Sequence, residues 1–163
     1  MERQSRLLTV SDADAASEVA HRSFNELVAS DWQPSACEVF LSESSPASMR
    51  QALAAPAYAA GAFSAGTMVG FILMPKPSLL GMLFVHPNAL RLGIGRQLWE
   101  HARAHVETSF SEVKTVELNS APYALPFYRS IGFVPISAEF QRGGCRATRM
   151  ACWLPARALG AAL

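Results

Sequence analysis

The sequence predicts an α/β protein of the α+β type: a mixed, mostly antiparallel sheet of about seven strands flanked by helices. Strand-length apolar runs alternate with stretches whose apolar residues recur near every 3.6 positions. Tight turns join the central runs, so neighbouring strands there are antiparallel. One long amphipathic stretch, 93–108, crosses between two such runs, which should therefore pair in parallel. At 163 residues, half of them apolar, the chain has the size of one domain and can bury roughly two thirds of its unfolded surface. We expect that domain over 1–155, with the alanine-rich stretch 156–163 as a loose, disordered tail.

Each element has its own signal. Leu7, Leu8 and Val10 form a short opening strand, and Ser11 and Asp12 offer side-chain oxygens to cap the next helix. In that helix, 15–28, Ala16, Val19, Ala20, Phe24 and Leu27 fall near helical spacing. Trp32 and Pro34 interrupt, and a second helical stretch, 36–53, is broken around Ser44, Ser45 and Pro46. Residues 57–63 and 67–74 flank Gly66 and read as a hairpin. After Pro75, Lys76 and Pro77, the apolar run 79–85 has the length of a buried strand and stops at His86, Pro87 and Asn88. The helix at 93–108 places Ile94, Leu98, Ala102 and Val106 along one stripe, with Arg, Glu and His opposite. Residues 113–118 form another strand, and a proline-bounded helix at 124–131 closes on Gly132. Two last strands, 133–140 and 145–153, meet across Gly143 and Gly144 as a hairpin.

Composition narrows the function. The formal net charge is +1, without a basic stripe or a run of like charge, so neither nucleic acid nor a membrane surface is expected as a partner. Cys37, Cys145 and Cys152 are odd in number and lack C-x-x-C spacing, which argues against a disulfide framework and a zinc site and leaves buried thiols. No metal is expected. Residues 1–10 carry Glu2, Arg3 and Arg6 without a continuous apolar stretch, so they read as neither signal peptide nor anchor, and a cytoplasmic location is expected.

The most informative segment runs from the strand residues Leu83, Phe84 and Val85 through His86-Pro87-Asn88-Ala89-Leu90 into Arg91, Leu92, Gly93, Ile94, Gly95 and Arg96. It is a strand, a short loop and a helix mouth bearing two glycines. Backbone N–H groups at such a mouth lack intrahelical partners and sit at the positive end of the helix dipole, which favours an anion. Glycine lets phosphate oxygens approach the backbone closely. Arg91 and Arg96 flank the glycines and can pair with phosphate. Leu98 stands where a dinucleotide-binding turn has its third glycine, and the Gly-Lys-Ser/Thr of a P-loop is absent.

These residues resemble the cofactor turn of the GNAT superfamily of acetyl-CoA-dependent N-acetyltransferases. Val85-His86-Pro87 and Gly93-Ile94-Gly95 match its pattern, whereas Leu90 occupies the place of its usual Gln or Arg. A second stretch, from Asn119 through Ala121, Phe127 and Tyr128 to Gly132 and Phe133, resembles the family's closing pattern. The resemblance covers 7–153. It implies an acyl-CoA N-acyltransferase fold, acetyl-CoA as cosubstrate, and a primary amine as acceptor, on a small molecule, a peptide or a protein. A homodimer is compatible with it.

The resemblance also assigns roles. Tyr128 falls where the family has its general acid, a proton donor for the departing coenzyme A sulfur. Leu83, Phe84, Val85, Arg91, Leu92, Gly93, Ile94, Gly95 and Arg96 correspond to cofactor-binding positions, and Asn119 could bond the pantetheine arm. A backbone amide near a bulged end of the 83–85 strand should polarise the thioester carbonyl. Phe24, Trp32, Phe40 and Phe140 could line an acceptor pocket. Glu117 shares a strand face with Asn119 by period two, and His86 lies beside the turn; the sequence designates neither as the base. The alternative is a non-catalytic acyl-CoA-binding sensor on the same fold.

Overall fold

The computed structural model describes residues 2–155; the expected tail at 156–163 lies outside the described residues. Strand β1 (Arg3–Leu7) leads into helices α1 (Ala13–Leu27), α2 (Pro34–Glu43) and α3 (Pro46–Ala54). Strands β2 (Tyr58–Ser64), β3 (Thr67–Met74) and β4 (Met82–Val85) follow, then α4 (Ile94–Ser109), β5 (Thr115–Ser120) and α5 (Leu125–Ser130). Three strands finish the fold: β6 (Val134–Pro135), β7 (Phe140–Arg142) and β8 (Cys145–Trp153). All ladders are antiparallel, in the orders β1-β2-β3-β4 and β5-β8-β6, with β7 also on β8. The expected mixed, mostly antiparallel architecture is present.

Strand β3 explains the layering. Phe71 and Leu73 pack with Ala16, Val19 and Ala20 of α1 and Met49 and Leu53 of α3. The alternate residues Ile72 and Met74 pack with Ile94, Leu98, Ala102 and Val106 of α4. A strand covered on both faces reads as a continuous apolar run. Each large apolar side chain so buried contributes about 1.5–3 kcal/mol, and this packing holds the N-terminus of α4 against the β3–β4 pair.

The parallel contact required by the α4 crossover is confined to one bridge, Leu79 with Glu117. There Leu80 N–H donates to Glu117 O at 3.0 Å and Glu117 N–H donates to Ser78 O at 2.9 Å. Strand β5 ends at Ser120, just before Pro122, which has no N–H to continue a ladder. Strand β4 therefore has no partner on its outer edge among the described residues.

Five expectations are corrected. The opening strand ends at Leu7, and Val10 begins a single 3₁₀ turn. The Asp12 carboxylate does not cap α1 but turns back to accept from Thr9 N–H at 2.9 Å and from Arg6 Nη1 and Nη2 at 2.9 and 2.8 Å, which lowers its pKa. Residues 133–140 are not one strand: Pro135 lacks an N–H, and Ser137 Oγ accepts from Arg149 N–H at 3.0 Å in place of a main-chain rung. No bulge breaks β4, whose register with β3 runs evenly from Met82 to Val85; the register shift lies in the β2–β3 pair, where Ala62 faces Gly70 and Phe63 faces Met68, leaving Val69 of β3 as the extra residue. The cysteines are free, with Cys152 buried but Cys37 and Cys145 only half-buried.

Candidate active site

The gap beside β4 is a cleft of about 600 Å³, walled on one side by β4 and the mouth of α4 and on the other by α5. Ser23, Leu27 and Val28, at the end of α1, also line it. His86 N–H donates to Val69 O at 2.8 Å. Antiparallel alternation then turns the main-chain groups of Leu83 and Val85 away from β3, toward the unpaired edge.

At the mouth of α4 the first helical bond runs from Gln97 N–H to Gly93 O at 3.0 Å. The N–H groups of Ile94, Gly95 and Arg96 make no main-chain hydrogen bond among the described residues. The two glycines are needed for different reasons. Gly93 has φ 76°, and a Cβ there would meet nothing within 4 Å, so its role is conformational. A Cβ on Gly95 would lie 2.9 Å from Phe127 Cζ, so its role is to let α5 come close. Arg91 also has a left-handed φ, 62°, which costs a side-chain-bearing residue roughly 1–2 kcal/mol. Gly70 serves the same packing from below: a Cβ there would press on Ile94 Cγ2 at 3.0 Å and Phe84 O at 3.1 Å.

Across the cleft, Tyr128 is buried, with its ring edge-on to Phe127 at 5.3 Å and to Phe133 at 5.7 Å. Burial pushes its phenol well above the ordinary value, so the hydroxyl keeps its proton. Arg96 Nη2 donates to Ser130 O at 3.1 Å and ties the two walls together.

Of the residues expected at the site, Leu83, Phe84, Val85, Arg91, Gly93, Ile94, Gly95, Arg96 and Tyr128 all border this one cleft. Leu92 does not: its side chain is 57% exposed, and its carbonyl accepts from Arg3 Nη1 at 2.7 Å. Asn119 is exposed on β5, opposite Arg149, and also lies outside the lining. Phe24, Trp32, Phe40 and Phe140 are not in the lining either. Phe24 and Phe40 stack on each other, Trp32 meets both edge-on, and Phe40 in turn meets Phe84 at 5.7 Å. Phe140 instead lies under the Arg142 guanidinium.

Glu117 shares its strand face with Asn119 as expected, but it faces Arg149 at 4.0 Å outside the cleft. His86 Nδ1 accepts from Asn88 N–H at 3.1 Å and so caps the turn. Among the described residues, the cleft lining contains no carboxylate, imidazole or thiol, and its only charged groups are Arg91 and Arg96. No group of three or more His, Cys, Asp or Glu among the described residues could hold a metal ion, and no helix among them is long and apolar enough to cross a membrane. Sequence reasoning missed Tyr123, Phe127, and Ser23 with Leu27 on α1. The one available signal was Ser23, a polar residue within an apolar helical stripe.

Comparison with known proteins bears on this arrangement. Residues 28–154 match the family model described as an acetyltransferase (GNAT) domain. A curated UPF0039 protein of Schizosaccharomyces pombe is 37% identical over 65 residues, 40% of this chain and 43% of that protein, so the match spans less than half of the relative's length. A GCN5-related N-acetyltransferase structure from Rhodopseudomonas palustris is 20% identical with a TM-score of 0.81, covering 94% of this chain and 97% of that one. The PaiA N-acetyltransferase of Thermoplasma acidophilum, solved in complex with coenzyme A, is 20% identical with a TM-score of 0.77, covering 94% of this chain and 99% of that one. At such identities the structural likenesses speak to the fold. The family model spans most of the sequence, including the cleft's two walls, and on that ground the chain belongs to the GNAT acetyltransferase family.

Proposed function

We propose that this protein transfers the acetyl group of acetyl-CoA to a primary amine by direct attack within a ternary complex. The observation that carries this reading is the pairing, across one cleft, of free helix-mouth N–H groups with a buried, protonated phenol. The cleft fits the cosubstrate: an anion at the mouth of α4 would find unpaired donors, a favourable dipole and two arginines. In this reading Gly93, Ile94, Gly95 and Arg96 bind the diphosphate through main-chain N–H groups, helped by the guanidinium groups of Arg91 and Arg96. The outward main-chain groups of Leu83 and Val85, with Phe84 between them, hold the pantetheine arm as an added strand would. The side chains of Leu92 and Asn119 lie outside the cleft lining.

Acetyl-CoA supplies an activated thioester. Tyr128 Oη gives its proton to the departing sulfur, and its high pKa keeps the donor form filled at neutral pH. The amine needs the opposite service. A lysine-like amine with a pKa near 10.4 is rarely neutral at pH 7, a handicap of about 4–5 kcal/mol. With no carboxylate or imidazole lining the cleft, its proton passes to solvent water. The acceptor is an amine on a small molecule, a peptide or a protein. Three unpaired thiols suit a reducing compartment, the cytoplasm.

Leu90, which lines the cleft where the family usually has Gln or Arg, favours the second reading, an acyl-CoA sensor without turnover. One experiment separates them. Acetyl-CoA at a hundred times its dissociation constant should stabilise the protein by about 2.7 kcal/mol in a melt, and an amine panel should then reveal thiol release. A shift without thiol release for any amine supports the sensor, and no shift at all removes both readings.

A further inference from the structure

We propose that Arg3 is a positioning residue for the diphosphate cradle: its guanidinium holds the Leu92 carbonyl and thereby aims the Gly93 N–H at the cleft mouth. Arg3 begins β1, the outermost strand of its sheet, paired with Ser64 and 89 positions away in sequence from Leu92. The Nη1 to Leu92 O distance is 2.7 Å, at the short end for such bonds, as expected for a charged donor.

The peptide plane makes this contact consequential. No peptide bond among the described residues is cis, and in a planar trans unit the Leu92 C=O and the Gly93 N–H point in opposite directions. Fixing one fixes the other. This peptide unit lies between two left-handed residues, Arg91 at φ 62° and Gly93 at φ 76°. Gly93 has open space around it, so little steric resistance opposes rotation of the unit. Leu92 cannot resist through packing, because its side chain is mostly exposed. Among the described residues no other donor reaches its carbonyl. A reversed peptide would present an oxygen, not a hydrogen, to the incoming anion.

This inference rests on the acetyl-CoA reading, and its test separates the two. The dissociation constant of acetyl-CoA is measured by titration calorimetry for the unmodified protein, Arg3→Ala and Arg3→Lys, alongside kcat and the Leu92 ¹³C′ chemical shift without ligand. Loss of a charge-assisted hydrogen bond predicts that Arg3→Ala binds about tenfold more weakly, with kcat at saturation within about twofold, while Arg3→Lys recovers most of the affinity. The ratio should persist at high salt, where the Debye length falls to about 3 Å and a mere long-range charge effect would vanish. Unchanged affinity in Arg3→Ala, a difference abolished by salt, or an unmoved Leu92 shift overturns the clamp. If the unmodified protein binds no acetyl-CoA, the functional reading fails and the cradle role with it. The ligand-free shift then still decides whether Arg3 holds the peptide.

Discussion

The β4–α4 wall of the cleft and the α5 wall present different kinds of atoms. On the first wall the useful groups are main-chain: the N–H groups of Ile94, Gly95 and Arg96 and the outer edge of β4, all unpaired among the described residues. On the second they are side-chain: the Tyr128 phenol, steadied by the rings of Phe127 and Phe133. A main-chain site tolerates changes of side chain so long as backbone shape survives. A side-chain site is lost with one atom. The departure at Leu90 is therefore less damaging to the first wall than any change at Tyr128 would be to the second.

The sharpest test of this contrast is Tyr128→Phe, which keeps the packing and removes only the hydroxyl. Thiol release should fall by about 10- to 1000-fold at saturating acetyl-CoA, with the dissociation constant of the cosubstrate within a factor of about two. A kcat that survives the change would take the proton donor away from α5 and break the comparison. Next in size is Gly95→Ala. Its Cβ would sit 2.9 Å from Phe127 Cζ, forcing the walls apart at a cost of about 1–3 kcal/mol and weakening acetyl-CoA binding roughly tenfold. If calorimetry finds normal affinity, the spacing of the walls matters less than their atoms.

The smallest effect concerns pH. The folded protein holds the Tyr128 pKa above its unfolded value near 10. Stability from the neutral phenol is thus fully present below about pH 10 and is lost as pH rises toward the folded pKa. In urea titrations, the stability of the unmodified protein relative to Tyr128→Phe should be flat up to about pH 9 and decline beyond about pH 10. A flat difference at every pH would mean that the phenol is not buried.

Much of the fold was legible because burial leaves a periodic trace. The stripe Ile94, Leu98, Ala102 and Val106 marked α4, and the apolar run 67–74 marked β3, the strand buried on both faces. Both glycines of the turn could be found by their spacing, but not their separate reasons, since one is a left-handed backbone angle with open space around it and the other a contact with Phe127 on a distant helix. Asn119 illustrates the limit. Period two correctly set it on the face of Glu117, yet which face of β5 meets the cleft depends on how the strand is laid into the sheet.

By itself the sequence determined most of the order of elements and the positions of the paired glycines at the mouth of α4 and of Tyr128, on which the proposed anion site and proton donor rest, because each is written in spacing over a few turns of chain. Tertiary structure alone decided that the segment leading into β4 touches β5 at a single bridge, Leu79 with Glu117, before the two diverge, that α1 contributes to the cleft, and that Arg3 reaches Leu92. Those contacts join residues far apart in the chain, and no local period records a distance in space.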